Sequence, residues 1–178
     1  MGNGKILLVV LLAAALVLPL AFAAMGAESV APDFALRNMD GKDVKLSQLL
    51  THGPVIVDFW ATWCKPCIKG FPGLQQINDK YKAQGLTVLA VSVDSPKSRE
   101  RVAPFIKSQK YTFEVLYDVD GKVAKKYSAV AIPRTVVINS KGEIVFVSTG
   151  YRPSNEVQLD AVVKELFPKT EGEGPVVQ

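Results

Sequence analysis

Val55-Ile-Val-Asp-Phe-Trp-Ala-Thr-Trp-Cys-Lys-Pro-Cys67 holds both cysteines of this 178-residue chain. Cysteines this close cannot staple distant segments together. They can form one local, reversible dithiol/disulfide pair, which is redox chemistry. The apolar run Val55–Trp60 reads as a buried strand, and Ile68 to Ala83 reads as a helix. A Cys-x-x-Cys between such a strand and helix is a much stronger signal than the dipeptide spacing alone. Structural zinc needs two further Cys or His ligands, and only His52 is left to supply one, so no metal is expected. A pair of inert buried thiols is the other alternative.

Outward from this stretch, the N-terminus reads as a targeting segment. Lys5 precedes the uninterrupted apolar run Ile6–Leu18, Pro19 breaks it, and Ala21-Phe-Ala23 fits an A-x-A cleavage site. Residues 1–23 are therefore expected to be a signal peptide cleaved after Ala23. The competing reading is an uncleaved anchor, since Ile6–Ala24 is just long enough to span a bilayer. Without a cysteine near the cleavage site there is no thiol to carry a lipid. Either reading places the folded part on the far side of the membrane, where a lone Cys-x-x-Cys serves redox work rather than stability. Residues 24–29 read as a linker, 30–167 as one domain, and 168–178, rich in Gly, Pro and Glu, as a disordered tail. The net charge of +4 is a mild excess spread along the chain and gives no nucleic-acid signal.

Strands and helices alternate along the domain. Pro32–Arg37 and Val44–Leu46 flank Asp40-Gly41 as a β-hairpin, and Ser47 caps a short turn to Leu50. Pro54–Trp60 and Leu86–Val93 are central strands. Ser95 and Pro96 open a helix running to about Gln109, with Pro104 expected to kink or break it. Phe113–Tyr117 is a short strand and Val123–Tyr127 a short helix. Thr135–Asn139 and Ile144–Thr149 form a hairpin around Lys141-Gly142. Ser154–Phe167 is a last amphipathic helix, capped by Ser154, with Val157, Ala161, Val162 and Leu166 as its apolar residues. This order predicts a three-layer α/β domain with a mainly parallel sheet and antiparallel edges.

With these residues in place, the chain resembles the thioredoxin superfamily, and within it the exported TlpA/ResA-type thiol–disulfide oxidoreductases. The resemblance covers about residues 30–167. It rests on Ala31-Pro-Asp-Phe34, Val57–Cys67, Phe71-Pro72, Tyr127, Ala131-Ile-Pro-Arg-Thr135, Asn139-x-x-Gly142 and Gly150. It implies a thioredoxin-like fold, a mixed central sheet flanked by helices, with an added N-terminal β-hairpin. The chain departs from the pattern at three places. Asp58 stands where Asn is frequent, Gly70 where an acid is common, and Arg134 where Thr is usual.

Cys64 sits where strand gives way to helix. N–H groups of the helix start and its dipole favour a thiolate there, and Lys65 and Lys69 add positive charge. Cys64 is expected to be the exposed nucleophile and Cys67 the buried resolving thiol. Pro66 lies early enough in the helix to be tolerated, whereas Pro72 is expected to kink it. Asp58 is a carboxylate in a buried strand, so its pKa should rise. The resemblance implies that it accepts the proton of Cys67; a buried acid satisfied by backbone is the alternative. Pro133 resembles the family's cis-proline, which would free the Ile132 backbone to pair with an extended substrate. Trp60 reads as core and Trp63 as a partly exposed platform beside the site. Arg134 either steers an acidic substrate or is solvated, and His52 belongs to a surface turn.

The expected function is reduction of disulfides in cysteine-containing exported proteins, with no cofactor beyond the Cys64–Cys67 pair. Asp58 and the lack of a His between the cysteines favour a reducing poise. A membrane thiol-reducing donor would recharge the protein, and apocytochrome c is the kind of substrate the resemblance implies. An oxidase or isomerase and a redox-inert client-binding module are alternatives. So is a peroxidase, because Ala31-Pro-Asp-Phe34 also resembles peroxiredoxins. That family's Pro-x-x-x-Thr-x-x-Cys spacing is missing, since Thr62 lies only two residues before Cys64.

Overall fold

Every residue of Val55–Trp60 is buried, because this strand is paired on both edges and covered on both faces. In the computed structural model, which describes residues 29–167, it is strand β3. The strands are β1 (Ala35–Asn38), β2 (Asp43–Lys45), β3 (Val55–Trp60), β4 (Thr87–Ser92), β5 (Glu114–Tyr117), β6 (Arg134–Ile138) and β7 (Ile144–Thr149). The helices are α1 (Leu46–Leu49), α2 (Lys65–Tyr81), α3 (Val102–Gln109), α4 (Lys122–Lys126) and α5 (Pro153–Glu165). The expected leader, the tail and all but Ser29 of the expected linker lie outside the described residues.

One sheet runs in the order β2-β1-β5-β4-β3-β6-β7. β3, β4 and β5 are parallel, while β6 and β7 on one side and β1 and β2 on the other are antiparallel additions. Strand periodicity sorts the core into two layers. Ile56 and Trp60 face α2, α3 and α5 through Phe71, Leu74, Ile106 and Val163. Val55, Val57 and Phe59 face the other way, onto Phe34, Leu46, Val123 and Tyr127. This is the three-layer, thioredoxin-like arrangement with its N-terminal hairpin.

Several helix starts differ from expectation. Ser47 does not cap α1; its amide donates to Asp33 Oδ1 at 3.0 Å, so the acceptor comes from outside the helix. Residues after β4 form a turn and a short 3₁₀ segment, Arg99–Arg101, before α3 begins at Val102. Ser95 is therefore not its cap. Pro104 falls in the first turn of α3, where its missing N–H has no intrahelical role, so it breaks nothing. α5 starts with Pro153 at its first turn and Arg152 before it, displacing Ser154. Its buried residues are Leu159 and Val163, with Val162 and Leu166 packed beside them, whereas Val157 is 73% exposed. α2 runs through Pro72 to Tyr81.

Candidate redox-active site

β3 delivers the chain to the site, and α2 starts immediately after it. Cys64 occupies the N-cap position of α2, and its Sγ accepts the Cys67 amide at 3.3 Å. Lys65 and Pro66 form the first turn, where proline's missing N–H is one the helix would leave unpaired. Cys64 and Cys67 are joined as a disulfide, with Cα atoms 5.3 Å apart. Contrary to the expected exposed nucleophile, Cys64 is only 4% exposed. Its sulfur is turned onto the helix end and bonded to the buried Cys67. Trp63 carries the exposure instead, at 63%. Trp60 lies in the core as expected, edge-on to Phe71 with ring centroids 4.7 Å apart.

Asp58 is buried on the α2 side of β3, since it shares the face of Ile56 and Trp60. The antiparallel register of β6 sets Thr135 opposite Asp58. The Thr135 hydroxyl donates to Asp58 Oδ1 at 2.7 Å. Desolvation dominates all the same and raises the Asp58 pKa from 3.8 to about 7, against the lowering effect of that hydrogen bond. Asp58, Cys67, Pro133 and Thr135 line one cleft between α2, β6–β7 and α5, of about 500 Å³ counted with its open mouth. A carboxyl group that changes charge near neutrality thus shares a cleft with the inner cysteine.

The peptide bond Ile132–Pro133 is cis, and the Pro133 carbonyl accepts the Gly150 amide at 2.8 Å. Ile132 is half-buried on the approach to β6, and Val130, two residues earlier, is almost fully exposed. Arg134 is half-buried, and its guanidinium is held by two hydrogen bonds. Its Nε donates to the Tyr127 carbonyl at 2.7 Å and its Nη1 to Thr149 Oγ1 at 2.9 Å, which ties β6 to α4 and β7. His52 lies in an exposed turn before β3, at the opposite end of that strand from Cys64. Among the described residues no cluster of His, Cys, Asp and Glu is arranged to hold a metal.

Two features of the site escape a reading of the sequence. Thr135 stands inside a recognised motif, yet its bond to Asp58 needs the β3–β6 register to be known. Tyr151 and Glu156 line the cleft through their own hydrogen bond of 3.1 Å. They lie over Gly70 and Gly73 of α2, and a Cβ at Gly73 would come within 2.5 Å of Glu156. Two glycines in one helix are the visible signal that something packs closely there.

The sequence profile of the AhpC/TSA family matches residues 27–147. The chain belongs to the AhpC/TSA family. Within that family it is similar to proteins named thiol-disulfide oxidoreductase ResA. It is 39% identical to the Bacillus subtilis protein over 122 residues, 68% of this chain and 66% of that one. It is 33% identical to the Geobacillus kaustophilus protein over 135 residues, 76% of each. A solved structure provisionally assigned as the thiol:disulfide interchange protein DsbE of Chlorobium tepidum matches with a TM-score of 0.72 at 33% identity. It covers 78% of this chain and 96% of that one. StoA of Bacillus subtilis matches with a TM-score of 0.61 at 28% identity, over 74% and 98%. This family member is thus a thioredoxin-like thiol–disulfide oxidoreductase.

Proposed function

We propose that the protein reduces disulfides of exported proteins on the far side of a membrane, using Cys64 to attack and Cys67 to resolve. The observation that carries this is the cleft shared by Asp58, Pro133 and Cys67, with Cys67 bonded to Cys64. In the reduced protein the Cys64 thiolate attacks one sulfur of a substrate disulfide. That S–S bond breaks, a substrate thiolate leaves, and a mixed disulfide remains. Cys67 gives its proton to the Asp58 carboxylate and attacks Cys64 Sγ. The mixed disulfide breaks, the second substrate thiolate leaves, and the Cys64–Cys67 disulfide closes. Two electrons pass to the substrate and no cofactor takes part.

A pKa of about 7 suits Asp58 to this step, because a base near ambient pH both takes and returns a proton readily. Ile132 before the cis-proline, Trp63 and the backbone around Pro133 form the surface for an extended substrate segment. Export follows from the apolar leader Ile6–Leu18. In an oxidising compartment the closed disulfide must be reopened by a membrane thiol donor. Apocytochrome c is one substrate of the required kind.

The deciding measurement is the reduction potential of the Cys64–Cys67 pair against a dithiol buffer. A value near or below about −270 mV supports a reductase, whereas about −120 mV makes the protein a disulfide donor. Peroxide consumption comparable with disulfide exchange would favour the peroxidase alternative instead. Cys67→Ser should trap a mixed disulfide on Cys64. A variant that releases substrate as fast as the parent would remove Cys67 from its role.

A further inference from the structure

Asp94 is a buried carboxylate, 1% exposed, that takes no part in the chemistry just described. It lies two residues beyond the end of β4. Its Oδ2 accepts the Thr62 amide at 2.8 Å and the Ser92 hydroxyl at 3.0 Å. Its Oδ1 accepts the Thr62 hydroxyl at 2.7 Å. Its own amide donates to Ser92 Oγ at 3.1 Å. Among the described residues no lysine, arginine or histidine forms an ion pair with it. A buried carboxylate is costly without partners, and here three donors converge on it, two of them from one residue.

That residue precedes Cys64 by two positions. The turn it belongs to is closed by the Cys64 amide donating to the Ala61 carbonyl at 3.0 Å. β4 meanwhile holds the last residue of β3 in register, Trp60 opposite Ser92, and the Val93 amide donates to the Trp60 carbonyl at 2.9 Å. The end of β4 thus grips the start of the turn through backbone and its middle through Asp94.

We propose that Asp94 is a positioning residue for Cys64, acting through Thr62. Its two-point hold on the Thr62 amide and hydroxyl fixes the turn, so that Cys64 Sγ stays on the Cys67 N–H in the reduced protein. A thiolate gains from a helix N-terminus only while it is held against it. Exchange also demands that the attacking sulfur line up with the substrate S–S bond, and small misplacements are costly in rate. The inference rests on the reading of Cys64 as the attacking thiol.

Three variants separate position from charge. Thr62→Val removes the hydroxyl contact without changing charge. Asp94→Ala removes the whole hold. Asp94→Asn loses the charge, yet its carbonyl can accept the Thr62 amide while its NH₂ donates to the Thr62 hydroxyl. The reduced full chain is reacted with a small aromatic disulfide, 5,5′-dithiobis(2-nitrobenzoate), across pH, and each variant's melting is recorded. Limited alkylation of the reduced parent with peptide mapping identifies the thiol that reacts first.

Thr62→Val and Asp94→Ala should react about tenfold more slowly at neutral pH, with the midpoint of the pH–rate profile moved up. Asp94→Asn should recover most of the rate lost in Asp94→Ala. Loss of a nearby negative charge alone would move the midpoint down in both Asp94 variants and leave Thr62→Val unchanged, which overturns the inference. So does a Thr62→Val protein that matches the parent, or an Asp94→Asn protein as slow as Asp94→Ala. First alkylation at Cys67 would overturn the assignment of the attacking thiol, and the inference with it. Alkylation at Cys64 with unaffected variants sinks the inference alone.

Discussion

Asp58 shows how one buried side chain sets stability and chemistry against each other. Its folded pKa of about 7 exceeds the unfolded value of 3.8, so between those values the native protein keeps a proton that the unfolded chain has released. The associated stability is complete below about pH 4 and is lost as pH rises through 7, by roughly 2–4 kcal/mol. Asp58→Asn should flatten that decline and raise the melting temperature at pH 8. Thermal melts of both proteins from pH 4 to 8 check this; parallel curves would mean that another group titrates. The same variant should slow release of substrate from the mixed disulfide on Cys64, about tenfold or more, through loss of the base. Arg134 gives a second residue-scale test. Its guanidinium braces the Tyr127 carbonyl and Thr149, so Arg134→Leu should lower stability by about 1–3 kcal/mol. The rate ratio between acidic and basic peptide substrates should stay unchanged. A selective loss of acidic substrates would restore the steering role.

Individual elements depend on acceptors from outside themselves. α4 has no cap from Gly121, and instead the buried Asp118 accepts the Val123 and Ala124 amides at 3.2 and 2.7 Å. Asp118→Ala should therefore cost about 1–3 kcal/mol, read from denaturant midpoints, while the reduction potential stays at the parent value. An unaltered midpoint would show that water replaces the carboxylate. This non-local capping explains where the sequence was legible and where it was not. Apolar runs announced β3 and β4, because burial on both faces leaves a continuous signature, whereas the Cys-x-x-Cys helix buries one stripe, Phe71, Leu74, Ile77 and Tyr81, at helical spacing. Ser47, Ser95 and Ser154 were each plausible caps, and none caps a helix. Asp33, the turn after β4, and Pro153 after Arg152 set those starts. The buried stripe of α5, through Leu159 and Val163, is likewise chosen by what the sheet and α2 present to it. At the site, Cys64, Cys67 and Asp58 were legible because they share one local stretch. The bonds from Thr135 to Asp58 and from Thr62 to Asp94 join residues 77 and 32 positions apart, and only strand register reveals them.

At the scale of the molecule, Ser29–Phe34 acts as a strap across the face opposite α2. The Ala31 amide donates to the Gly142 carbonyl at 2.8 Å, and the Ile144 amide to the Ser29 carbonyl at 3.0 Å, beside the β6–β7 turn. The Pro32 carbonyl accepts the Tyr127 hydroxyl at 2.8 Å. The Phe34 carbonyl accepts the Leu46 amide at 3.0 Å, and its ring meets Tyr127 edge-on at 5.9 Å. One short segment therefore joins the β7 edge, the end of α4 and the start of α1, adding to the tie that Arg134 makes between α4 and β7. A chain beginning at Asp33 loses the first three of these bonds and the burial of Ala31. It should be less stable than one beginning at Ser29 by about 3 kcal/mol, near 1 kcal/mol for each bond, or about 10 °C in melting temperature. Because the strap and the dithiol lie on opposite faces of the sheet, the reactivity of Cys64 should be equal in the two chains at temperatures where both are folded. Equal melting would show that the strap is not fastened in solution. Unequal reactivity would show that the two faces communicate through β3, whose residues alternate between them.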